Sequence, residues 1–353
     1  MRIAYMPDTH FGRYDQPIPG RLEVSRAADQ LLDESMAAEQ FGFDGVWLAE
    51  RHARTETFFP SPVVLAAAIA ARTQRVDIAT TVIQPTYYNP AHLAEQLASI
   101  DQLSKGRLIF GAGVGYHADY FRLFGVPMKG RDARFEECMR IIEGLWTQER
   151  FSFKGKFFEL EDARLTPKPY QQPRPPIWIG AFYDRAVERA LDWDGWVWWF
   201  PPDLDEACRR VDHWREKAAK RGKKNWTFAV AYEGWIGDDR QEVRKRHGHR
   251  WVAEIDFYRR RGMAPDLGGD AVAALEKSFL ILGPSDVWLE KLSKVRDRLR
   301  PDYLCIRTRN PCPDSAGHYP SGAESLECIH RLGEEVVRHL WKSATTAENS
   351  TVY

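Results

Sequence analysis

Cysteine is scarce in this chain. It occurs five times in 353 residues, at Cys138, Cys208, Cys305, Cys312 and Cys328. The count is odd and no pair has C-x-x-C spacing, which excludes a disulfide framework and points to a reducing, cytoplasmic setting. Net charge is absent as well. Fifty Lys and Arg balance fifty Asp and Glu, so no broad basic field for nucleic acid is expected. No apolar run approaches the roughly 20 residues that span a bilayer. The first residues, Arg2 to Met6, are strand-like with no charged-then-apolar leader, so neither a membrane anchor nor a signal peptide is expected. There is no G-x-S-x-G elbow for a serine hydrolase and no repeat of solenoid length. His247 and His249 are close but lie in a charged stretch without partners, and no spacing demands a metal.

What is present is alternation. Strand-like segments at Arg2–Pro7, Gly45–Ala49, Val76–Ile83, Arg107–Gly111, Ile177–Gly180, Gly195–Trp199, Thr227–Tyr232 and Tyr303–Arg307 are separated by helical patterns. That order predicts parallel strands with crossover helices. Asn89 and Pro90 have the signature of a helix start, Leu93, Leu97, Ile100 and Leu103 an apolar stripe, and Gly106 a stop. A second stripe runs through Phe135, Cys138, Ile142 and Leu145. Phe151 to Leu160, around Lys154-Gly155, has the pattern of a hairpin. The stretch 234–283 is too long for a simple crossover, and its basic run reads as a solvated face. The fold class expected is α/β: a (β/α)₈ TIM barrel with insertions after strands four and seven. One domain is expected over 1–341, with 234–283 at the barrel mouth and a disordered tail over 342–353.

Several motifs fall at strand ends, where barrels place their chemistry. Glu50-Arg51-His52 follows strand two. It reads equally as an acid–base group or as a buried ion pair with a satisfied histidine. Gly111-Ala112-Gly113-Val114-Gly115 is a tight βα turn, or a loop where backbone meets a flat ligand; its spacing is wrong for a dinucleotide fingerprint. Gly180 to Tyr183 leads into a helix capped at Asp184, whose free N–H groups suit a phosphate, though on this segment alone an ordinary capped helix is the favoured reading. His10, His117 and His318 follow strands one, four and eight.

Taken together, Phe41-Gly42-Phe43-Asp44-Gly45-Val46-Trp47-Leu48-Ala49-Glu50-Arg51-His52, Asn89-Pro90 with Leu93 to Gln96, Leu103-Ser104-Lys105-Gly106-Arg107 through Tyr116, Phe121 to Val126, and Pro176 to Gly180 resemble the bacterial-luciferase-like flavin-dependent monooxygenase family. The resemblance covers residues 1–200 well and the last third loosely. It implies a barrel, usually dimeric, that binds reduced FMN (FMNH₂), or in one branch F420, at the strand C-terminal ends. Thr80, Thr81 and Val82 would lie under the ring, where the family often has a cis peptide, and Asn89 at its edge. Gly113, Val114, Gly115 and Tyr116 would flank the ring and phosphate tail, and Gly180, Ala181, Phe182 and Tyr183 would hold the phosphate. Two positions depart from the pattern. Arg51 stands where luciferase has the first of two histidines, and Val114 where many relatives have arginine. Arg51 suits an anionic or carbonyl-bearing substrate, and Arg131 or backbone N–H groups become the phosphate candidates.

The activity so implied is a two-component monooxygenase. A separate NAD(P)H:flavin reductase supplies FMNH₂, oxygen is carried as a C4a-peroxyflavin, and a small organic substrate is oxygenated. His52, with Arg51 and Glu50, forms the catalytic set. His10, Trp198, Trp199, Arg309 and His318 are the substrate candidates. The rivals are an F420-dependent dehydrogenase or reductase on the same fold and a catalytically idle flavin-binding partner subunit.

Overall fold

The structure is a computed structural model that describes residues 1–14, 16–260, 264 and 266–340. In chain order it runs β1 (Arg2–Tyr5), α1 (Arg21–Gln40), β2 (Gly45–Leu48), α2 (Pro62–Arg72), β3 (Asp77–Thr80), α3 (Pro90–Ser104), β4 (Leu108–Ala112), α4 (Ala118–Leu123) and α5 (Arg131–Thr147). A hairpin of β5 (Phe151–Lys154) and β6 (Glu159–Ala163) follows, then β7 (Ile177–Gly180), α6 (Asp184–Ala190), β8 (Gly195–Trp198) and α7 (Leu204–Lys220). The remainder is β9 (Thr227–Ile236), α8 (Arg240–Arg259), α9 (Ala271–Lys277), β10 (Leu280–Gly283), α10 (Ser285–Lys294), β11 (Tyr303–Arg307) and α11 (Gly322–Arg331).

Eight parallel strands follow one another as β9-β11-β1-β2-β3-β4-β7-β8, and β8 returns to pair with β9. This is the closed parallel barrel that the alternation predicts. Register is set by strands buried at nearly every position, as parallel strands covered on both faces must be. Tyr5 pairs with Ile306, Tyr303 with Ala229, and Phe110 with Ile177. The hairpin after β4 is also as expected, with Phe153 paired to Leu160.

Three elements differ from expectation. β3 stops at Thr80 rather than Ile83; the chain leads on through a cis Thr81–Val82 peptide to a 3₁₀ turn at Pro85–Tyr87. β9 runs on to Ile236, and β10 pairs with its second half, Leu280 opposite Glu233. The stretch 234–283 therefore contributes a ninth strand and two helices. Glu233 interrupts the apolar pattern, yet it is fully buried, with Arg307 and the Trp251 indole as its partners. On α3, Leu103 is exposed, while Leu93, Leu97 and Ile100 are buried. The basic run on α8 is partly exposed, as expected, and its exposed side chains also form ion pairs. Arg244 binds Asp270 and Glu276, Arg246 binds Asp314 and Glu324, and Arg250 is wholly buried.

The chain divides into two compact units. The first comprises Met1–Val46, Arg54–Phe58 and the chain from Trp198 onward; its core includes Ile3, Tyr5, Trp214, Val230, Trp288 and Ile306. The second comprises Trp47–Ala53 and Phe59–Val197, with Trp47, Ile78, Leu97, Phe110, Ile142 and Trp196 at its core. No helix among the described residues is long and apolar enough to cross a membrane. The expected tail over 342–353 lies outside the described residues.

Candidate active site

In the second unit, the end of β2 delivers Glu50, Arg51 and His52, all buried. Burying a carboxylate is costly unless hydrogen bonds replace its water, and Glu50 collects them. The Gln84 backbone N–H donates to Oε2 at 2.6 Å and the Tyr88 phenol donates to Oε1. His52 Nε2 stands 3.1 Å from the same Oε1, at ion-pair distance but off the hydrogen-bonding axis. Three rings meet the imidazole edge to face: Phe124 at 4.8 Å, Tyr120 at 5.5 Å and Tyr87 at 6.3 Å. Behind Tyr120 stacks His117, whose Nδ1 accepts the Asp119 N–H and caps α4. Tyr87, Tyr120 and Phe121 form a small apolar core against which Tyr88, Val126 and Met128 pack. Burial and the nearby Glu50 carboxylate push both tyrosines, Tyr87 and Tyr88, well above the ordinary phenol range. They act as fixed donors.

Next to this group, the glycines of the β4 and β7 ends find a cause. Thr80 Oγ1 donates to the Gly111 carbonyl and accepts its N–H, both at 2.9 Å. The Thr81 N–H donates to the Leu48 carbonyl at 2.6 Å. The Val82 side chain then fills the space where side chains at Gly113 and Gly180 would stand; added Cβ atoms would come within 2.6 and 2.7 Å of it. Gly115 has φ +89°, and a Cβ there would meet the Tyr87 hydroxyl at 2.6 Å. Close packing within the protein thus accounts for glycine at these positions.

The other predicted cofactor residues are placed as follows. Thr81 Oγ1 is buried with no partner. Val114 is half-buried and its carbonyl accepts the Thr86 hydroxyl at 3.0 Å. Tyr116, Phe182 and Tyr183 are exposed, whereas Ala181 is buried and its carbonyl accepts the Trp196 indole N–H at 2.9 Å. The Asn89 side chain accepts the Ala91 and His92 N–H groups, so it serves as the cap of α3. Tyr183, not Asp184, is the cap residue of α6, and no side chain caps that helix.

The first unit holds the substrate candidates, at or beyond the C-terminal ends of β1, β8 and β11. Arg307 bridges three carboxylates: Asp8 at 2.9 Å, Glu233 at 2.5 Å and Glu254 at 3.0 Å. The Trp251 indole donates to Glu233 at 2.8 Å, and His10 Nδ1 lies 2.8 Å from Asp8. Desolvation and the neighbouring carboxylates, against the pull of Arg307, push Glu233 up to about 7. Arg309 is taken up by Glu34 at 2.6 Å and the Asp8 carbonyl, and lies over the Phe11 ring. Trp198 is buried beneath Arg210. Trp199 is half-buried under Arg307, and its indole N–H has no partner. His318 is exposed on a loop whose backbone Asp314 holds. The structure joins His10, Arg309 and Trp199 to one buried charge network and leaves His318 outside it.

Sequence reasoning missed Tyr88, Gln84, Glu233 and Glu254. For Tyr88 a signal existed: a tyrosine pair follows strand three, at the level where Glu50 leaves strand two. For the two glutamates there was none, since their partner Arg307 is distant in sequence.

The sequence profile of the luciferase-like monooxygenase family matches residues 4–279. An FMNH₂-dependent dimethylsulfone monooxygenase of Pseudomonas putida is 34% identical over 163 residues, 45% of either chain. An F420-dependent glucose-6-phosphate dehydrogenase of Amycolatopsis mediterranei is 36% identical over 160 residues, 43% of this chain and 47% of that one. These matches span about half the length of the curated relatives. The crystal structure of a monooxygenase from Streptomyces bottropensis superposes with a TM-score of 0.78 over 96% of this chain and 99% of that one, at 23% identity, a likeness of fold.

Proposed function

Since the chain belongs to the luciferase-like monooxygenase family, whose profile spans residues 4–279, we propose that it is the oxygenating component of a two-component system that uses FMNH₂ and O₂ to oxygenate a small organic substrate. The observation that carries this reading is the buried Glu50–His52 pair at the end of β2. The residues fit a flavin: Thr81 offers a buried hydroxyl without a partner, and Tyr116, Phe182 and Tyr183 each expose an aromatic ring. Val82, the backbone of Gly113 to Tyr116 and that of Gly180 to Tyr183 would hold it. When bound, reduced FMN supplies the electrons that activate oxygen.

The chain's own residues handle the proton. The Glu50 carboxylate favours a hydrogen on His52 Nε2, which leaves Nδ1 as the base. A histidine so held takes a proton from the substrate or returns one to the reduced oxygen. Arg51, buried beside it, supplies positive charge for a carbonyl or anionic substrate oxygen. The reduced flavin comes from a separate reductase, a reading supported by the FMNH₂ dependence named for the Pseudomonas relative. A homodimer is part of the same proposal. Val63, Val64, Ala67, Ile100 and Leu103 line an apolar groove on α2 and α3, with Val64 and Leu103 more than half exposed.

Anaerobic protein loaded with FMNH₂ and mixed with oxygenated buffer tests the reading. Return of oxidised-flavin absorbance is expected to be slower than for free FMNH₂, with the delay shortened in His52→Ala. Reoxidation at the free-flavin rate, together with tight F420 binding, would favour the hydride-transfer reading that the Amycolatopsis relative suggests. Reoxidation at the free-flavin rate without F420 binding would leave the idle partner subunit.

A further inference from the structure

We infer that Tyr88 is a positioning residue that sets the protonation of His52 through Glu50. The inference deepens the proposed role of His52, and it rests on geometry that stands without that role. Glu50 Oε1 serves two neighbours at once: it accepts the Tyr88 hydroxyl and stands 3.1 Å from His52 Nε2. The remaining oxygen, Oε2, is committed to the Gln84 N–H at 2.6 Å. The charge that Oε1 can offer the imidazole is therefore whatever the phenol leaves. A donor on a carboxylate stabilises its charge and weakens its pull on a second partner.

Tyr88 is suited to hold that share constant. Its hydroxyl keeps its proton far above neutrality, because burial and Glu50 both oppose a phenolate. Its ring packs against the Tyr87, Tyr120 and Phe121 core. Other titratable groups around the imidazole are Tyr87 on the same turn, Tyr120 on α4 and His117 stacked behind it, with Arg51 adjacent in the chain. Tyr116 and Arg131 act electrostatically on Tyr87.

Two substitutions of opposite effect make the test. Tyr88→Phe removes one oxygen and leaves the ring; Glu50 then gives its charge to His52 alone. Glu50→Gln removes the charge. The readout is the titration of the His52 ring nitrogens by NMR of the full chain labelled with ¹⁵N-histidine, with and without added FMN, assigned by the signal lost in His52→Gln. Tyr88→Phe is expected to raise the His52 midpoint by about half a unit to one unit, and Glu50→Gln to lower it by about one unit. General loosening of the fold would move both variants in the same direction. A midpoint in Tyr88→Phe equal to the parent's, or lower, overturns the inference. The pH dependence of flavin reoxidation, read in parallel, separates the two claims. If it follows the NMR shift, the role of His52 and the role of Tyr88 both stand. If the NMR midpoint moves and the reoxidation profile does not, the coupling stands and the acid–base role of His52 falls.

Discussion

Three carboxylates on one buried guanidinium cannot all ionise cheaply, because the group they share carries a single positive charge. Asp8, Glu233 and Glu254 face Arg307 in this way, and Glu233 is the one pushed up, to about 7. The group's affinity for a proton is thus higher folded than unfolded. Its contribution to stability is fully present below the ordinary carboxylate pKa and is lost as pH rises through about 7. Gln is the neutral isostere; its carbonyl can accept from Trp251 and Arg307 as Glu233 does. Glu233→Gln is therefore expected to match the parent's stability below about pH 4 and to exceed it increasingly as pH rises through about 7. Denaturant titrations across that range check it. A difference independent of pH would mean that Glu233 is ionised throughout. Residue types alone announced Glu50, Arg51 and His52, since such groups at a strand end invite chemistry. The identity of each partner depended on the fold.

Among the elements, the β3–β4–β7 ends behave as one packed piece. Glycines at 113 and 180 make room for Val82, whose position follows from the turn after β3. Gly113→Ala is expected to destabilise by about 1–3 kcal/mol through overpacking against Val82. Adding Val82→Ala should cancel a large part of that cost, a coupling that a double-mutant cycle in urea measures. Simple additivity would show that the two side chains do not share the space. The helix starts show what sequence can and cannot say at this scale. Asn89-Pro90 announced α3 correctly because the cap is a local bond to the next N–H groups. Asp184 did not cap α6, since its side chain begins inside the helix. The short α4 was not anticipated, because a histidine is an uncommon cap and its core, Tyr120 and Phe121, is made with Tyr87 from another segment.

At the scale of the whole molecule, the exposed side chains on α2 and α3 bear on assembly. Val64→Glu or Leu103→Glu is expected to convert a dimer to a monomer in light scattering, because a charge buried against an apolar partner face is left unpaired. Both variants should retain the parent's circular dichroism, since these positions are more than half exposed. An unchanged mass would place the self-association elsewhere or exclude it.

The order of the eight barrel strands, the barrel they make and the family were legible in the sequence. They depend on local periodicity, on capping signals and on motifs that are contiguous in the chain. The hairpin after β4 was legible for the same reason. The ninth strand and the full length of β9 were not, because Glu233 breaks the apolar pattern and finds its partners, Arg307 and the Trp251 indole, only in the fold. The same holds for the candidate site. Sequence alone determined that Glu50 and His52 stand at the end of a strand. The tertiary structure decided that Tyr88 and the Gln84 N–H share the Glu50 carboxylate, that aromatic rings enclose His52, and that Arg309 is held by Glu34. Those outcomes follow from contacts between segments distant in sequence, where charge, burial and available space are set by the packed fold.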